Sequence, residues 1–383
     1  MRILNGISAV SLQSTRYLSD ALTRMGHQAD VVVYRSNRLL SGYEDRSLNV
    51  DLTKPWLAPK YGLAVIRFFF ECLKKYDVFH FHYGHSLFPL NVDLIFLKWF
   101  KKRVFMEYHG SDVRRRAVFE ERNPYSAHFP PSALLEERES YRRQRRIAAH
   151  VDGIIVHDEE LREHLYPLNK SVWVVPLRLD LSKFPCERQI SRNTLVIAHA
   201  PSRADLKGTS EIAEAITKLS EAYDIDFQLV SGVSHEEAIE TYRRSDIVID
   251  QLIAGSYGML AIESMALGKP VVGYIRSDLV CRFPEAPPIY NATVDNIFER
   301  LEDLVKDPDL RQQLGSAGRA YVERNHDSMT VATLVAEAYS ATIEGTYVPA
   351  EDSGHALKWT DMGRTSDSAI SCTRRSRNRG TAP

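Results

Sequence analysis

The sequence predicts an α/β protein built from two doubly wound, parallel-sheet domains that face each other across a cleft. Short aliphatic and aromatic runs alternate with longer amphipathic stretches, the pattern of strand–helix–strand units with helices on both faces of a sheet. That alternation breaks over 176–193 (PLRLDLSKFPCERQISRN), where two prolines and scattered charge mark a linker, and it restarts at Leu195. A length of 383 residues also suits two domains, on a prior of about 150 residues each.

In chain order the expected strands are 2–4, 29–34, 77–82, 103–108, 152–156, 172–175, 194–199, 225–230, 246–249 and 270–274. Each is a short run rich in Val, Ile or Phe with turn or charged residues at its ends. Helical spacing separates most of them, over Ser14–Met25, Asn91–Lys101, Ser132–Ala149, Thr209–Tyr223 and His235–Arg244. Residues 1–180 are therefore read as an N-terminal domain and 181–343 as a C-terminal one. The last helix, 327–343, has either domain open to it. The Gly/Ser/Thr/Arg-rich end, 344–383, lacks the apolar content to order itself and stands outside the fold.

Composition narrows the function. Lys+Arg (49) and Asp+Glu (50) nearly cancel, which argues against a nucleic-acid partner. Cys72, Cys186, Cys281 and Cys372 are far apart with no C-x-x-C pair, so neither a disulfide framework nor a cysteine zinc site is expected, and a reducing cytoplasm fits. The most apolar segment, Tyr61–Leu73, is interrupted by Arg67 and Glu71. It falls short of the roughly 20 residues that span a bilayer. The apolar stretch at the N-terminus is too short for a signal peptide. A soluble protein follows, peripheral to a membrane at most.

Parallel α/β sheets bind ligands at the C-terminal ends of their strands, so the chemistry is sought there. The strongest signal is GSYGMLAIESMALGKPVV, residues 255–272. A strand (DIVID) leads into a glycine-bearing turn, a helix opens near Met259, and Gly268 closes it. Backbone N–H groups at such a helix start can hold phosphate or sugar hydroxyls. Glu263, about one turn in, can accept both hydrogen bonds of a ribose diol. A merely capped helix with a dipole-complementing Glu is the plainer reading. A second signal, His199 to Thr209, follows the strand LVIAH with Arg203, Lys207 and Gly208 in one loop. A point charge, a planar fork and a close backbone approach together suit a diphosphate, although G-x-x-x-x-G-K-[ST] spacing is absent.

Other features are weaker. His109, at a strand end and followed by Gly110, can face a cleft, as many structural histidines also do. His80 and His82 share one strand face, but no carboxylate or cysteine is spaced in the sequence to complete a metal shell. Asp224-Ile225-Asp226 precedes its strand and reads as a turn rather than a metal motif. The run Arg142-Arg143-Gln144-Arg145-Arg146 reads first as a solvated helix face and second as a contact for an anionic membrane. G-x-G-x-x-G, G-x-S-x-G and H-E-x-x-H are all missing.

Together these motifs resemble the family-4 group of retaining glycosyltransferases, which have the GT-B fold. The resemblance runs from Met1 to about residue 343. It rests on MRILNGIS with GHQADVVVY, on DVFHFH (77–82), HGSD (109–112), VDGIIV (151–156) and PLRLD (176–180), and on Arg203 with Lys207-Gly208-Thr209 and the Glu263 motif with its MALGKPVV end. It implies that Lys207 and Arg203 grip the donor diphosphate, Glu263 the ribose, and residues Ser256, Tyr257, Gly258, Met259 and Leu260 the sugar and phosphate through backbone N–H groups. Gly6 would let the first loop approach the donor or acceptor, and Gly208 the diphosphate. His109 and Lys207 would be the catalytic groups, with no metal or other cofactor. The implied partners are a nucleotide-sugar donor and a saccharide or lipid-linked acceptor. Three positions depart from the family pattern: Gly255 stands where an E-x7-E motif has its first Glu, the first loop has one glycine, and the linker has Arg178. A GT-B sugar-nucleotide epimerase and, because of Gly255, a non-catalytic nucleotide-sugar-binding partner are the alternatives.

Overall fold

The computed structural model describes residues 1–7, 12–35, 42–50, 58–186 and 194–341. The tail expected over 344–383 and residues 187–193 of the linker lie outside the described residues. Two parallel sheets form. The first contains β1 (Arg2–Ile7), β2 (Gln28–Val33), β3 (Arg46–Ser47), β4 (Val78–His82), β5 (Arg103–Glu107), β6 (Gly153–Val156) and β7 (Ser171–Val174). Their order is β3-β2-β1-β4-β5-β6-β7. The second contains β8 (Leu195–His199), β9 (Ile225–Leu229), β10 (Ile247–Ile249), β11 (Val271–Gly273) and β12 (Tyr290–Asn291), in the order β12-β11-β10-β8-β9.

The strands read as continuous apolar runs because helices cover both faces: β4, β6, β10 and β11 are buried from end to end. The order reverses direction beside β1 in one sheet and beside β8 in the other. Strand ends at such switch points splay apart and leave a crevice. Gly6, His82, His199 and Asp250 sit at those ends.

Each domain lends a segment to the other. The helix Ser328–Ala341 places Val331, Val335 and Tyr339 among Ile3, Leu18, Val78 and Phe105 of the first domain. Conversely Phe119, Phe129 and Leu134 join Ile197, Leu252 and Ile253 in the core of the second. The Asn123 amide donates to the Ile253 carbonyl (2.8 Å), and Arg276 and Arg282 reach Glu163 (2.9 and 2.7 Å). Among helices of ten or more described residues, three are absent from the sequence expectation: Ala58–Lys75, Ile297–Lys306 and Pro308–Asn325. The expected helix 132–149 begins only at Glu137, because Leu135 pairs with Arg115 in an isolated bridge and holds the chain extended.

Candidate active site

On the C-terminal domain, Gly208 lies in the left-handed region (φ 76°) and separates the short helix Ala204–Lys207 from Thr209–Leu219. A side chain there would also press on Leu252, 3.2 Å from its Cβ. His199 anchors the second helix: Nδ1 lies 2.9 Å from the Ile249 carbonyl and Nε2 2.9 Å from Thr209 Oγ1. This geometry aims Lys207 at the end of β10, where Nζ donates to Gln251 Oε1 (2.6 Å) and Asp250 Oδ1 (3.3 Å). The other Asp250 oxygen accepts the Gly258 N–H at 2.8 Å. A Cβ on Gly258 would stand 3.7 Å from Lys207 Nζ. The structure thus brings Lys207 against the start of the helix Met259–Ala266 (Met259 and Leu260 open it), where helix N–H groups and an ammonium converge.

Glu263 follows on that helix, buried, with Oε1 2.8 Å from His235 Nε2; His235 Nδ1 in turn lies 3.2 Å from the Tyr43 hydroxyl. Burial pulls the His235 pKa down, but the hydrogen bond and charge of Glu263 outweigh it and hold the imidazole above its usual value. The pairing fixes one Glu263 oxygen against the imidazole.

The side chains of the turn before that helix make contacts of their own. The Ser256 hydroxyl is buried and donates across the domain seam to Asp158 Oδ2 (2.5 Å). The Tyr257 ring points away from Lys207, its hydroxyl 2.8 Å from Tyr321 and 3.0 Å from His326 Nε2. The Gly258 N–H is already taken by Asp250. Ser256 and Tyr257 thus tie the turn to Asp158 on one side and to Tyr321 and His326 on the other. Arg203 is half-exposed and ion-paired with Asp205, two residues on, rather than turned toward Lys207. Gly6 is required by the sheet: a side chain there would collide with the Val32 carbonyl oxygen of β2. At Gly255 φ is 87°, and a Cβ would meet the Arg276 side chain at 2.9 Å.

The N-terminal side of the cleft is a polar network that grows from the ends of β4, β5 and β6. Glu107 and Arg178 form a fully buried two-pronged ion pair (2.5 and 2.9 Å), and Arg178 Nε also donates to the Ser14 carbonyl. His80 Nε2 lies 3.0 Å and His82 Nδ1 3.3 Å from Glu107 Oε2. His109 completes the chain: its Nε2 is 3.2 Å from His82 Nδ1 and its Nδ1 2.8 Å from His157 Nε2. Burial alone would raise the Glu107 carboxyl, yet the Arg178 charge and the histidine hydrogen bonds hold it well below its usual value. Burial lowers all four histidines, His82 and His109 to about 4, so the imidazoles are neutral near pH 7. His109 is the partly exposed end of this network, and both its ring nitrogens face other histidines. Meeting a sugar requires one of those contacts to open.

The sequence reading found no carboxylate to complete a metal shell at His80 and His82, and the fold supplies one. Glu107 gathers with His80 and His82, and with His109 and His157, at ligand spacing. The residues fit a dication poorly, however, because the Arg178 guanidinium already occupies both carboxylate oxygens and sets a fixed positive charge beside them.

A pocket lies behind Tyr257, lined among others by Trp173, Leu177, Phe283 and His326. Lys207 and Glu263 do not line it. Asp158 does, with burial, then the charge of Glu160, pushing its carboxyl up to about 6.

Two family models match the chain, Glycosyltransferase Family 4 over residues 13–183 and Glycosyl transferases group 1 over 194–321. The chain belongs to the family-4-type glycosyltransferases. Among solved structures, this glycosyltransferase is similar to a sucrose-phosphate synthase from Thermosynechococcus elongatus, with 14% identity and a TM-score of 0.62 over 90% of this chain and 99% of that one. It is also similar to Anabaena HepE in complex with UDP-glucose, with 13% identity and a TM-score of 0.60 over 88% and 99%. A structure described as a putative UDP-N-acetylglucosamine 2-epimerase from Listeria monocytogenes has 14% identity and a TM-score of 0.55 over 90% and 97%. No curated protein sequence matches the chain significantly. These likenesses establish the two-domain GT-B fold.

Proposed function

We propose that the protein moves a sugar from a nucleoside-diphosphate-sugar donor to a saccharide or lipid-linked acceptor, with retention at the anomeric carbon and without a metal, in polysaccharide or glycoconjugate assembly on the cytoplasmic side. The observation that carries this reading is the meeting of Lys207 with the start of the helix Met259–Ala266, one turn before Glu263. As the bond from the sugar to the diphosphate breaks, negative charge grows on the leaving phosphate. An ammonium and oriented helix amides are already in place there and need no reorganisation. Glu263, oriented by His235, takes the ribose hydroxyls, and His109 faces the sugar from the other domain. The UDP-glucose held by Anabaena HepE, which shares the fold, supports a donor of this class. The three described cysteines are unpaired thiols, which suits a reducing compartment.

The test is calorimetric titration with UDP, GDP, ADP and dTDP, first without metal and then with magnesium. One diphosphate binding well ahead of the others without metal supports the reading and names the donor class. Absence of binding by all four refutes the site. A second reading keeps donor binding but not turnover. It is favoured by Gly255, where Arg276 fills the space in which the family carries a carboxylate. Release of nucleoside diphosphate from a matching sugar donor, dependent on added acceptor, separates transfer from both binding alone and epimerisation.

A further inference from the structure

Scattered exposed apolar side chains are ordinary, but a contiguous patch is a contact surface. Of thirteen exposed large apolar side chains among the described residues, nine fall in two stretches, 63–70 and 90–100. The stretches adjoin. Phe69, buried, touches Phe70, Phe88 and Phe96 with ring centroids 5.6–6.4 Å apart. Leu63, Ile66 and Phe70 recur at helical spacing on the outer face of Ala58–Lys75, and Ile95, Phe96 and Trp99 do so on Asp93–Trp99. Trp99 is 76% and Leu63 71% exposed. The helix Ala58–Lys75 is not apolar enough to cross a bilayer.

Basic side chains border this patch on one side. Leu90 lines a hollow with Arg138, Arg142, Arg143 and Arg146 of the helix Glu137–Ala148 and with two carboxylates, Glu139 and Glu136, the latter paired with Arg116 (2.8 Å). Lys98 ties the two helices by donating to the Ala149 carbonyl (3.2 Å). Arg138, Arg142 and Arg145 are exposed and have no acidic partner among the described residues. Apolar knuckles beside unpaired guanidinium groups match an acyl–headgroup boundary that carries phosphate, whereas a protein partner with an acidic patch would leave the aromatic face unsatisfied.

We infer that this face of the N-terminal domain docks on an anionic phospholipid bilayer, with Trp99 and its neighbours entering the acyl boundary and the arginine hollow taking headgroup phosphate. The docked helix lies one layer from the cleft: Arg143 donates to the Tyr83 carbonyl (2.9 Å), and the Tyr83 ring centroid is 6.4 Å from that of His109. Docking would thus bring a membrane-held acceptor to the rim of the proposed transfer site; that last step, but not the docking, rests on the transfer reading.

The full chain is floated with vesicles of phosphatidylcholine alone and of phosphatidylcholine with phosphatidylglycerol, at low and high salt. The expected result is binding to the anionic vesicles only, weakened by salt. The variant Arg138→Gln/Arg142→Gln/Arg145→Gln should bind about a hundredfold more weakly, since each basic residue contributes about fivefold near an anionic surface. Ile66→Ser/Phe70→Ser/Trp99→Ser should lose binding, and both variants should keep the wild-type affinity for nucleoside diphosphate, which also reports that they fold. Trp99→Phe should still bind but lose a blue shift in fluorescence that the wild type shows on vesicles. Wild type left in solution by anionic vesicles, or bound unchanged after either triple substitution, overturns the inference. So does a concentration-dependent dimer that the Ser variant abolishes, which would assign the face to a second copy. Vesicle binding without nucleotide binding would instead sink the transfer reading alone.

Discussion

Replacing Lys207 by methionine removes an ammonium while keeping most of its stem, and the geometry gives the loss two parts. The first is a charged hydrogen bond to the donor phosphate, worth about 1.5–3 kcal/mol. The second comes from Asp250. In the native site its Oδ1 faces Lys207 at 3.3 Å and its Oδ2 accepts the Gly258 N–H, so the ammonium screens a buried carboxylate from any phosphate beside it. Without Lys207, two negative charges about 6 Å apart repel by on the order of 1–3 kcal/mol at an effective dielectric near 20 or somewhat above. The sum predicts that Lys207→Met weakens nucleoside-diphosphate binding by at least about a hundredfold. Lys207→Met/Asp250→Asn should regain about tenfold of that, because the repulsion goes while the acceptor for Gly258 stays. Titration calorimetry on the diphosphate that wild type binds best reads both numbers. Affinity within about threefold of wild type in folded Lys207→Met would remove Lys207 from the site. A double variant no better than the single would remove the Asp250 argument and leave the first part standing.

Three further outcomes follow from the buried charges. Arg178→Met leaves Glu107 ionised and unpaired in the interior and should cost about 3–5 kcal/mol in urea unfolding, with Arg178→Met/Glu107→Gln recovering most of it; a negligible single-variant loss would contradict the ion-pair assignment. Asp158 has its carboxyl raised to about 6, so the folded state holds its proton more tightly than the unfolded chain, and the group's contribution to stability falls as pH rises from about 4 through 6. Wild type should therefore lose stability relative to Asp158→Asn over that interval and level off above it, and a flat difference would show that the seam does not perturb this carboxyl. His235 is raised, so the His235–Glu263 pair stabilises fully below the unfolded histidine value, about 6.5, and the benefit drains as pH rises through the higher folded value; wild type minus His235→Asn in urea should show that decline, and a difference independent of pH would mean the two side chains are not coupled.

What the sequence disclosed and what it withheld divide along physical lines. Inner strands buried on both faces are apolar throughout, and the edge strands β7 and β9 keep enough Val, Ile and Phe to stand out, so ten were legible to within three residues at either end. Arg46–Ser47 and Tyr290–Asn291, at two residues each, are too short to carry a pattern. The helix Ala58–Lys75 escaped because Leu63, Ile66 and Phe70 on its exposed side lengthen the apolar run, so that the run was weighed only against a membrane span. At the candidate site, Lys207 and Glu263 were legible as candidates because each follows a strand in a local motif. Asp250 and His157 also stand at strand ends, one residue past β10 and β6, and attention to the polar residue that closes each apolar run would have found both. The Glu107–Arg178 pair had no such signal: 71 positions separate its members, and nothing local in EYHG or PLRL announces that one will neutralise the other. Arg178 was visible only as a departure from the family pattern. Its burial gives that departure a cause, since a linker arginine that enters the first domain holds the end of β5 and the start of the helix Leu12–Arg24 in one grip, and so fixes the floor on which His109 stands.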